Sequence, residues 1–267
     1  MASHDLRRIL TGWDYEPHQI TVRKIAGDDG AVKIQMRLPL GVLQMEVTGR
    51  PDGSRPHGFE SLLEHHENRL ADYQRRNGTD LGFEVSPDDS QALRDESVMY
   101  YHRYLAEFVL EEFDTVERDT ARNIRVLDLC RRYAREEGDR LVLEQYRPYL
   151  VMMNTRAQAH SALRSGSLKT ALARVNAGLT TIQNIYAENL DEGEEAEEST
   201  EASILESLRD EIIARLPSDP VEKLERDLEK ALREERYEDA AHLRDQMSEI
   251  QARRSQPAAN KQRRKKQ

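Results

Sequence analysis

Apolar residues recur at helical spacing through most of this chain, and that periodicity constrains its fold more than any other feature. The clearest stripe comprises Leu168, Ala171, Leu172, Val175, Leu179, Ile182 and Tyr186. Only 37% of the residues are hydrophobic and 34% are charged, against ~45–50% and ~25% in a typical globular chain. Long helices suit so small an apolar supply, because each buries one stripe and leaves its other faces in water. We therefore expect a mainly α protein.

Simple counts exclude or disfavour several classes of protein. The longest apolar runs, such as residues 149–153, fall far short of the ~20 residues that cross a bilayer. The N-terminus has no basic segment followed by an apolar one, so no signal peptide is expected and we predict a cytoplasmic location. The single cysteine, Cys130, excludes an internal disulfide framework and a thiolate cluster for a metal.

Residues 1–80 predict a small α+β cap made of a three-stranded antiparallel sheet and one helix. Apolar and polar residues alternate over 32–38, and Gly27-Asp28-Asp29-Gly30 before them supplies a tight hairpin turn. A third strand follows over 42–47. The next apolar stripe, from Phe59 to Tyr73, has helical spacing, and we expect this helix to cover the apolar face of the sheet.

Residues 86–187 predict a bundle of stacked, tetratricopeptide-like helical hairpins. Ser86-Pro87-Asp88-Asp89 begins a helix, because serine caps it, proline fits its first position and the acids favour its positive dipole end. A second helix is predicted to end near Gly138. A third covers 140–164 and is either kinked at Pro148 or begins there.

Two segments with opposite charge flank a further short helix, predicted over 204–216. Residues 188–201 carry eight acids and no Lys or Arg, so we interpret 188–203 as a solvated acidic linker. Residues 251–267 carry seven bases and no acid, which predicts a disordered basic tail over 253–267. The tail either only aids solubility or contacts nucleic acid. Its bases are Arg253, Arg254, Lys261, Arg263, Arg264, Lys265 and Lys266.

Three places along the chain put a bulky residue three positions before a small or β-branched one. The pairs are Phe113 with Val116, Leu168 with Ala171, and Tyr237 with Ala240. The bulky residue can fill the gap between two antiparallel helices, and the small one lets them approach closely. The middle turn loosely resembles a tetratricopeptide hairpin. Spacings of about 54 and 69 residues do not fit the ~34-residue repeat, so no repeat array is predicted.

Residues 219–252 predict a C-terminal helical hairpin with a recognisable motif. Pro220 opens the first helix, and an aromatic turn residue, Tyr237, precedes Glu-x-Ala-Ala-x-x-Arg-Asp over 238–245. This string resembles the UVR motif, named for the excision-repair proteins UvrB and UvrC and present also in stress-protease chaperone ATPases and their adaptors. The resemblance implies a fold of two antiparallel helices and a role in binding another protein.

The hairpin is short for a domain with its own core, which independently favours an interaction role. The resemblance implies that a like hairpin completes its apolar seam. Self-association or docking onto residues 86–187 of the same chain are the alternatives. Arg244 and Asp245 either exchange ion pairs across such a seam or form a local surface pair. The predicted partner-binding residues are Leu228, Tyr237, Ala240, Ala241, Leu243, Arg244, Asp245 and Met247.

The catalytic modules that usually accompany this motif have no counterpart in the sequence. No G-x-x-x-x-G-K-[ST] string is present, and a single cysteine cannot form the Cys-x-x-Cys pairs of zinc-binding relatives. We interpret His66 and Cys130 as buried core residues, and expect neither a metal nor a cofactor. The sequence thus favours a non-enzymatic adaptor in DNA repair or protein quality control. The alternative is a nucleic-acid-associated excision-repair accessory that uses the basic tail, with an unrecognised enzyme third.

Overall fold

The computed structural model describes residues 5–188, 199–216, 224, 228, 230–233 and 236–255, with side chains to residue 248. The chain divides into two compact units, Met1–Ala214 and Arg215–Gln267. Each unit is described by itself. In the described part of the chain, no helix combines the length and the apolar character that a membrane span requires.

The first unit contains three strands and eight α-helices within its described residues, with α8 extending one residue beyond it. The strands are β1 (Val22–Ala26), β2 (Val32–Leu38) and β3 (Gly41–Glu46). The helices are α1 (Arg7–Leu10), α2 (Leu62–Asn77), α3 (Pro87–Val109), α4 (Phe113–Tyr133), α5 (Glu137–Leu141), α6 (Arg147–Arg164), α7 (Leu168–Glu188) and α8 (Thr200–Arg215). Short 3-10 turns occupy Pro56–Gly58 and Glu144–Tyr146.

The strands form the predicted antiparallel sheet in the order β1-β2-β3. Ile34 pairs with Lys24 on one side and with Met45 on the other. The turn between β1 and β2 closes through a 2.8 Å hydrogen bond from the Gly27 N–H to the Ala31 carbonyl, and Gly30 supplies its positive φ of 76°. The sheet prediction is confirmed.

The helix that covers this sheet is α3, and the prediction that the helix after the sheet would do so is wrong. Ile34 and Met45 cluster with Ala106 of α3, which is fully buried. Leu63 of α2 belongs instead to the main helical core. The short side chain of Ala106 allows the sheet to approach α3 closely. The prediction chose α2 because it follows the sheet in sequence, and order along the chain carries no information about such close packing.

The main core runs from α2 to α8, with α4 packed against both α3 and α6, and α6 packed against α7. The prediction of a mainly α fold is confirmed. Pro148 lies in the first turn of α6, so it begins a helix and does not kink one. Helix α4 ends at Tyr133, before the predicted stop near Gly138. Helix α8 begins four residues before the predicted 204, and its Leu205 and Ile212 are buried in the same core.

Candidate partner-binding hairpin

The three turns that look alike in sequence share the same two backbone hydrogen bonds. In each, the residue before the bulky side chain donates its N–H to the carbonyl five residues earlier, a Schellman closure that ends the preceding helix. These bonds run from Glu112 to Glu107, from Ser167 to Ala162 and from Arg236 to Ala231, at 2.9, 2.9 and 2.8 Å. The same three residues accept from the N–H groups of Val116, Ala171 and Ala240, at 3.1, 3.0 and 3.0 Å. The bulky residue is in each case the first residue of the new helix: α4, α7 or α9 (Tyr237–Ser255).

The bulky residue is covered in the first two hairpins and exposed in the third. Phe113 is only 8% exposed, because His160 of α6 stacks on its ring with a centroid distance of 4.9 Å. Leu168 packs against the main core. Tyr237 is 67% exposed, although its small companion Ala240 is only 5% exposed. The same local design is therefore present three times, but within the described residues of the third hairpin its aromatic ring remains in solvent.

The apolar stripe of the C-terminal hairpin has the predicted helical spacing. Residues 224, 228 and 230–233 are helical, and α9 follows after the turn. Leu228 and Leu243 are partly buried, as is Met247, while Ala231 is fully buried. Arg236 and Asp239 close the start of α9 with a 2.7 Å ion pair between Nη1 and Oδ2.

The remaining predicted partner-binding residues lie in solvent. Ala241 is exposed, and the Arg244 and Asp245 side chains are 72% and 75% exposed. Arg244 Nε is 4.0 Å from Asp245 Oδ1, so these two residues already form a long, local surface pair. Pairs of this kind are worth less than ~1 kcal/mol. The exposed set and the partly buried set thus occupy different faces of α9.

The predicted nucleic-acid contacts fall almost entirely outside the described residues. Arg253 and Arg254 belong to the last turn of α9, with the backbone alone described. Lys261, Arg263, Arg264, Lys265 and Lys266 lie beyond the described part of the chain. Nucleic-acid binding by the tail therefore stays a prediction.

A group of buried charges between α3 and α4 escaped the sequence reasoning. Arg103 is 1% exposed and forms a two-pronged ion pair with Asp119, at 2.6 Å from Nε to Oδ2 and 2.9 Å from Nη2 to Oδ1. Its Nη1 donates to the carbonyls of Glu46 and Gly49, at 3.0 and 2.8 Å. Arg118 joins Asp119 through a 2.8 Å bond from its Nε. These contacts tie the end of the sheet to two helices.

A second set of buried charges adjoins the first. The Glu96 carboxylate is fully buried, pairs with the Nη2 of Arg122 and lies 3.0 Å from Arg50 Nε. It also accepts from the Leu62 N–H at the start of α2, at 2.9 Å. The Arg122 guanidinium lies 4.1 Å from the centre of the Tyr100 ring. Residues 96, 100, 103 and 107 fall on one stripe of α3, but three of the four are charged, and hydrophobic periodicity takes no account of charged residues.

The two residues weighed as chemical candidates are in the core, as expected. His66 is 1% exposed, and burial, opposed by the nearby Asp89 carboxylate, lowers its pKa to about 4. Cys130 is fully buried, and burial raises its thiol pKa to about 11. A thiol in this state is a poor nucleophile at neutral pH. No cluster of three or more His, Cys, Asp or Glu able to hold a metal occurs among the described residues.

Comparison with known families identifies one segment of the chain. Residues 218–253 match the family model described as the UvrB/uvrC motif, UVR. The UVR motif occurs in excision-repair proteins and mediates protein–protein interactions. The tetratricopeptide-like resemblance of the middle region has no such support. No curated protein and no solved structure matches the chain.

Proposed function

We propose that this protein is a non-enzymatic adaptor that binds a protein partner through its UVR hairpin, in DNA repair or protein quality control. The observation that carries the proposal is the exposed ring of Tyr237 within a motif whose general role is protein–protein interaction. In the first hairpin the equivalent ring, Phe113, is covered by His160 of a neighbouring helix. A helix of the partner would cover Tyr237 in the same way.

The energetics of burial support this role. An aromatic side chain that passes from water into an interface gains roughly 2 kcal/mol or more, and tyrosine is enriched at protein interfaces because its hydroxyl can remain hydrated. The partly buried Leu243 and Met247 add apolar area along the same helix. Two short helices alone supply a small core, so a partner that completes it also stabilises the hairpin.

Substitution of Leu243 by Asp is the direct test of the seam. A carboxylate at a position that becomes buried in the complex would remain unpaired there, so we expect binding in a pull-down or by calorimetry to be lost. His242→Asp is the matched control, because it adds the same charge one residue away at an exposed position. If Leu243→Asp binds as well as His242→Asp, the seam assignment is wrong.

Tyr237→Ala guards against the possibility that Leu243→Asp simply unfolds the hairpin. Tyr237 is largely exposed, so its truncation should leave the helicity measured by circular dichroism unchanged while weakening association at least ~10-fold. Unchanged affinity would refute the role of the exposed ring.

Light scattering of the full chain and of a truncation ending at Ser218 separates self-association from a foreign partner. A dimer that becomes a monomer on truncation makes a second copy the partner.

A further inference from the structure

Two adjoining clefts in the first unit lie beside the buried charges. The first has a volume of about 300 Å³ and is lined by residues that include Tyr100, Arg118 and Arg122. The second has a volume of about 500 Å³ and is lined by residues that include Arg50, Arg55 and Arg118. Because Arg118 lines both clefts and its side chain is 41% exposed, it can reach a molecule in either one.

The residues that line the clefts include more cations than acids, although the protein as a whole is acidic. Together they are lined by seven cationic and five acidic residues, while the whole chain has a net charge of -10. Much of the acidic charge is already engaged: Asp119 with Arg103, and Glu46 with Lys33. Glu60 and Glu64 stand exposed at the start of α2, where Glu64 also accepts from the Glu60 N–H at 2.8 Å. Each engaged acid also neutralises one cation, so the lining keeps a surplus of two positive charges. Its exposed arginines are Arg55, Arg118 and Arg125, the last of which pairs with Glu67.

These arginines outnumber the buried carboxylates that pair with them. Four guanidinium groups, those of Arg50, Arg103, Arg118 and Arg122, meet the three fully or nearly fully buried carboxylates of Glu96, Glu107 and Asp119. Arg50 also pairs with the exposed Asp52, at 3.1 Å from Nη1 to Oδ2. Burial raises the pKa of Glu107 to about 8, with the nearby Asp119 charge adding to the rise, and both effects favour its uncharged form.

Two guanidinium N–H groups that are cut off from solvent make no hydrogen bond within the described residues. They are the Nε groups of Arg50 and Arg122. The Arg122 side chain is 9% exposed, and Arg50 Nε, although 3.0 Å from Glu96 Oε1, is poorly aligned for a hydrogen bond. Buried donors are almost always satisfied in native proteins, so two arginines beside the clefts have hydrogen-bonding capacity that their present contacts leave unused.

We propose that these clefts bind a small polyvalent oxyanion of the phosphate or polycarboxylate class, held by Arg118 together with Arg50 and Arg122. Guanidinium forks match the spacing of carboxylate and phosphate oxygens, and they keep their charge when partly desolvated. A volume of about 300 Å³ admits a diphosphate or a tricarboxylate. All residues that line the clefts belong to the first unit, whereas the UVR motif belongs to the second.

The test is thermal unfolding and calorimetry of the full chain with sodium pyrophosphate, with citrate, and with sodium chloride at matched ionic strength. At about 100-fold excess over its Kd, a bound oxyanion should raise Tm by about 5 °C or more relative to chloride. Arg118→Gln should weaken that binding at least ~10-fold. Arg131→Gln is the matched control, because Arg131 lies on the same helix, is 58% exposed and pairs with Glu144 away from both clefts.

The outcomes separate cleanly. An effect of pyrophosphate alone assigns the phosphate class, and an effect of citrate alone assigns the polycarboxylate class. Equal binding by Arg118→Gln and Arg131→Gln, or no Tm rise beyond that with chloride, overturns the proposal. If Arg118→Gln does not fold, Arg55→Gln at the exposed rim of the second cleft takes its place with the same expectation. Leu243→Asp should bind the oxyanion normally, so failure of the adaptor proposal leaves this one standing.

Discussion

Glu107 provides the sharpest prediction, because its carboxyl group is fully buried among charges of both signs. Its Oε1 lies 3.4 Å from Arg118 Nη2 and 4.0 Å from Arg103 Nε, while Oε2 has no hydrogen-bond partner among the described residues. Burial is the largest cause that raises its pKa, from 4.5 to about 8; the Asp119 carboxylate adds to the rise, and the two arginines and Thr115 oppose it. The change proposed is Glu107→Gln, which mimics the protonated form.

The sign of the effect follows from proton linkage. Since the folded-state pKa of Glu107 lies above the unfolded value, retention of the proton contributes stability that is fully present below pH 4.5 and is lost as pH rises through about 8. Each pH unit in that window costs about 1.4 kcal/mol of unfolding free energy. Between pH 5.5 and 8 the wild type should therefore lose about 3 kcal/mol relative to Glu107→Gln.

Urea unfolding at the two pH values measures this double difference. Contributions from other titrating groups, such as His66, occur in both proteins and cancel. Glu111→Gln, an exposed glutamine substitution in the turn after α3, should give the same difference from wild type at both pH values. If the stability difference between wild type and Glu107→Gln does not change from pH 5.5 to 8, Glu107 is ionised in the fold and the charge assigned to the buried carboxylates beside the clefts is wrong.

Three further outcomes are expected. Gly178→Ala should lower the free energy of unfolding by about 1–3 kcal/mol in urea titrations, because the added Cβ would clash with the Thr155 side chain. Adding Thr155→Ala to the same chain should recover part of this loss, and strictly additive effects of the two substitutions would refute the contact. Arg103→Ala should cost about 3–5 kcal/mol by the same assay, because the buried Asp119 carboxylate loses its two-pronged partner and keeps only the half-exposed Arg118. A loss under 1 kcal/mol would contradict this. Native Cys130 should resist iodoacetamide at pH 8 and react after addition of urea, as followed by mass spectrometry, whereas rapid native labelling would place it at the surface.

Much of this fold could be predicted because its local signals agree with its tertiary contacts. The alternation at 32–38 became β2 with the same bounds, and the paired bulky and small residues at 113 and 116 mark the start of α4. In both places the pattern is set within a few residues of sequence, through strand period or turn closure. The UVR hairpin was recognisable for the same reason, and its family match confirms that recognition.

The buried charges could not be predicted, since their burial depends on contacts between distant segments. Arg103 and Asp119 look like solvated residues on two separate helices until those helices pack and each neutralises the other. The same pairing orients α3 so that Tyr100 is only 5% exposed beneath the arginines, while the adjacent Tyr101 is 37% exposed. Hydrophobic periodicity carries no information about ion pairs of this kind.

The separate core of the sheet implies an order of local opening. Ile34, Met36 and Met45 are buried in a small cluster with Ala106, apart from the extensive core that joins α2 to α8. Amide protons of β2 should therefore exchange with solvent through a partial opening of low free energy, and those of α4 only through global unfolding. That opening breaks the bonds from Arg103 to the end of the sheet. The sheet-side wall of the clefts therefore belongs to the less stable of these two cooperative units, and any ligand held there would slow hydrogen exchange in the strands.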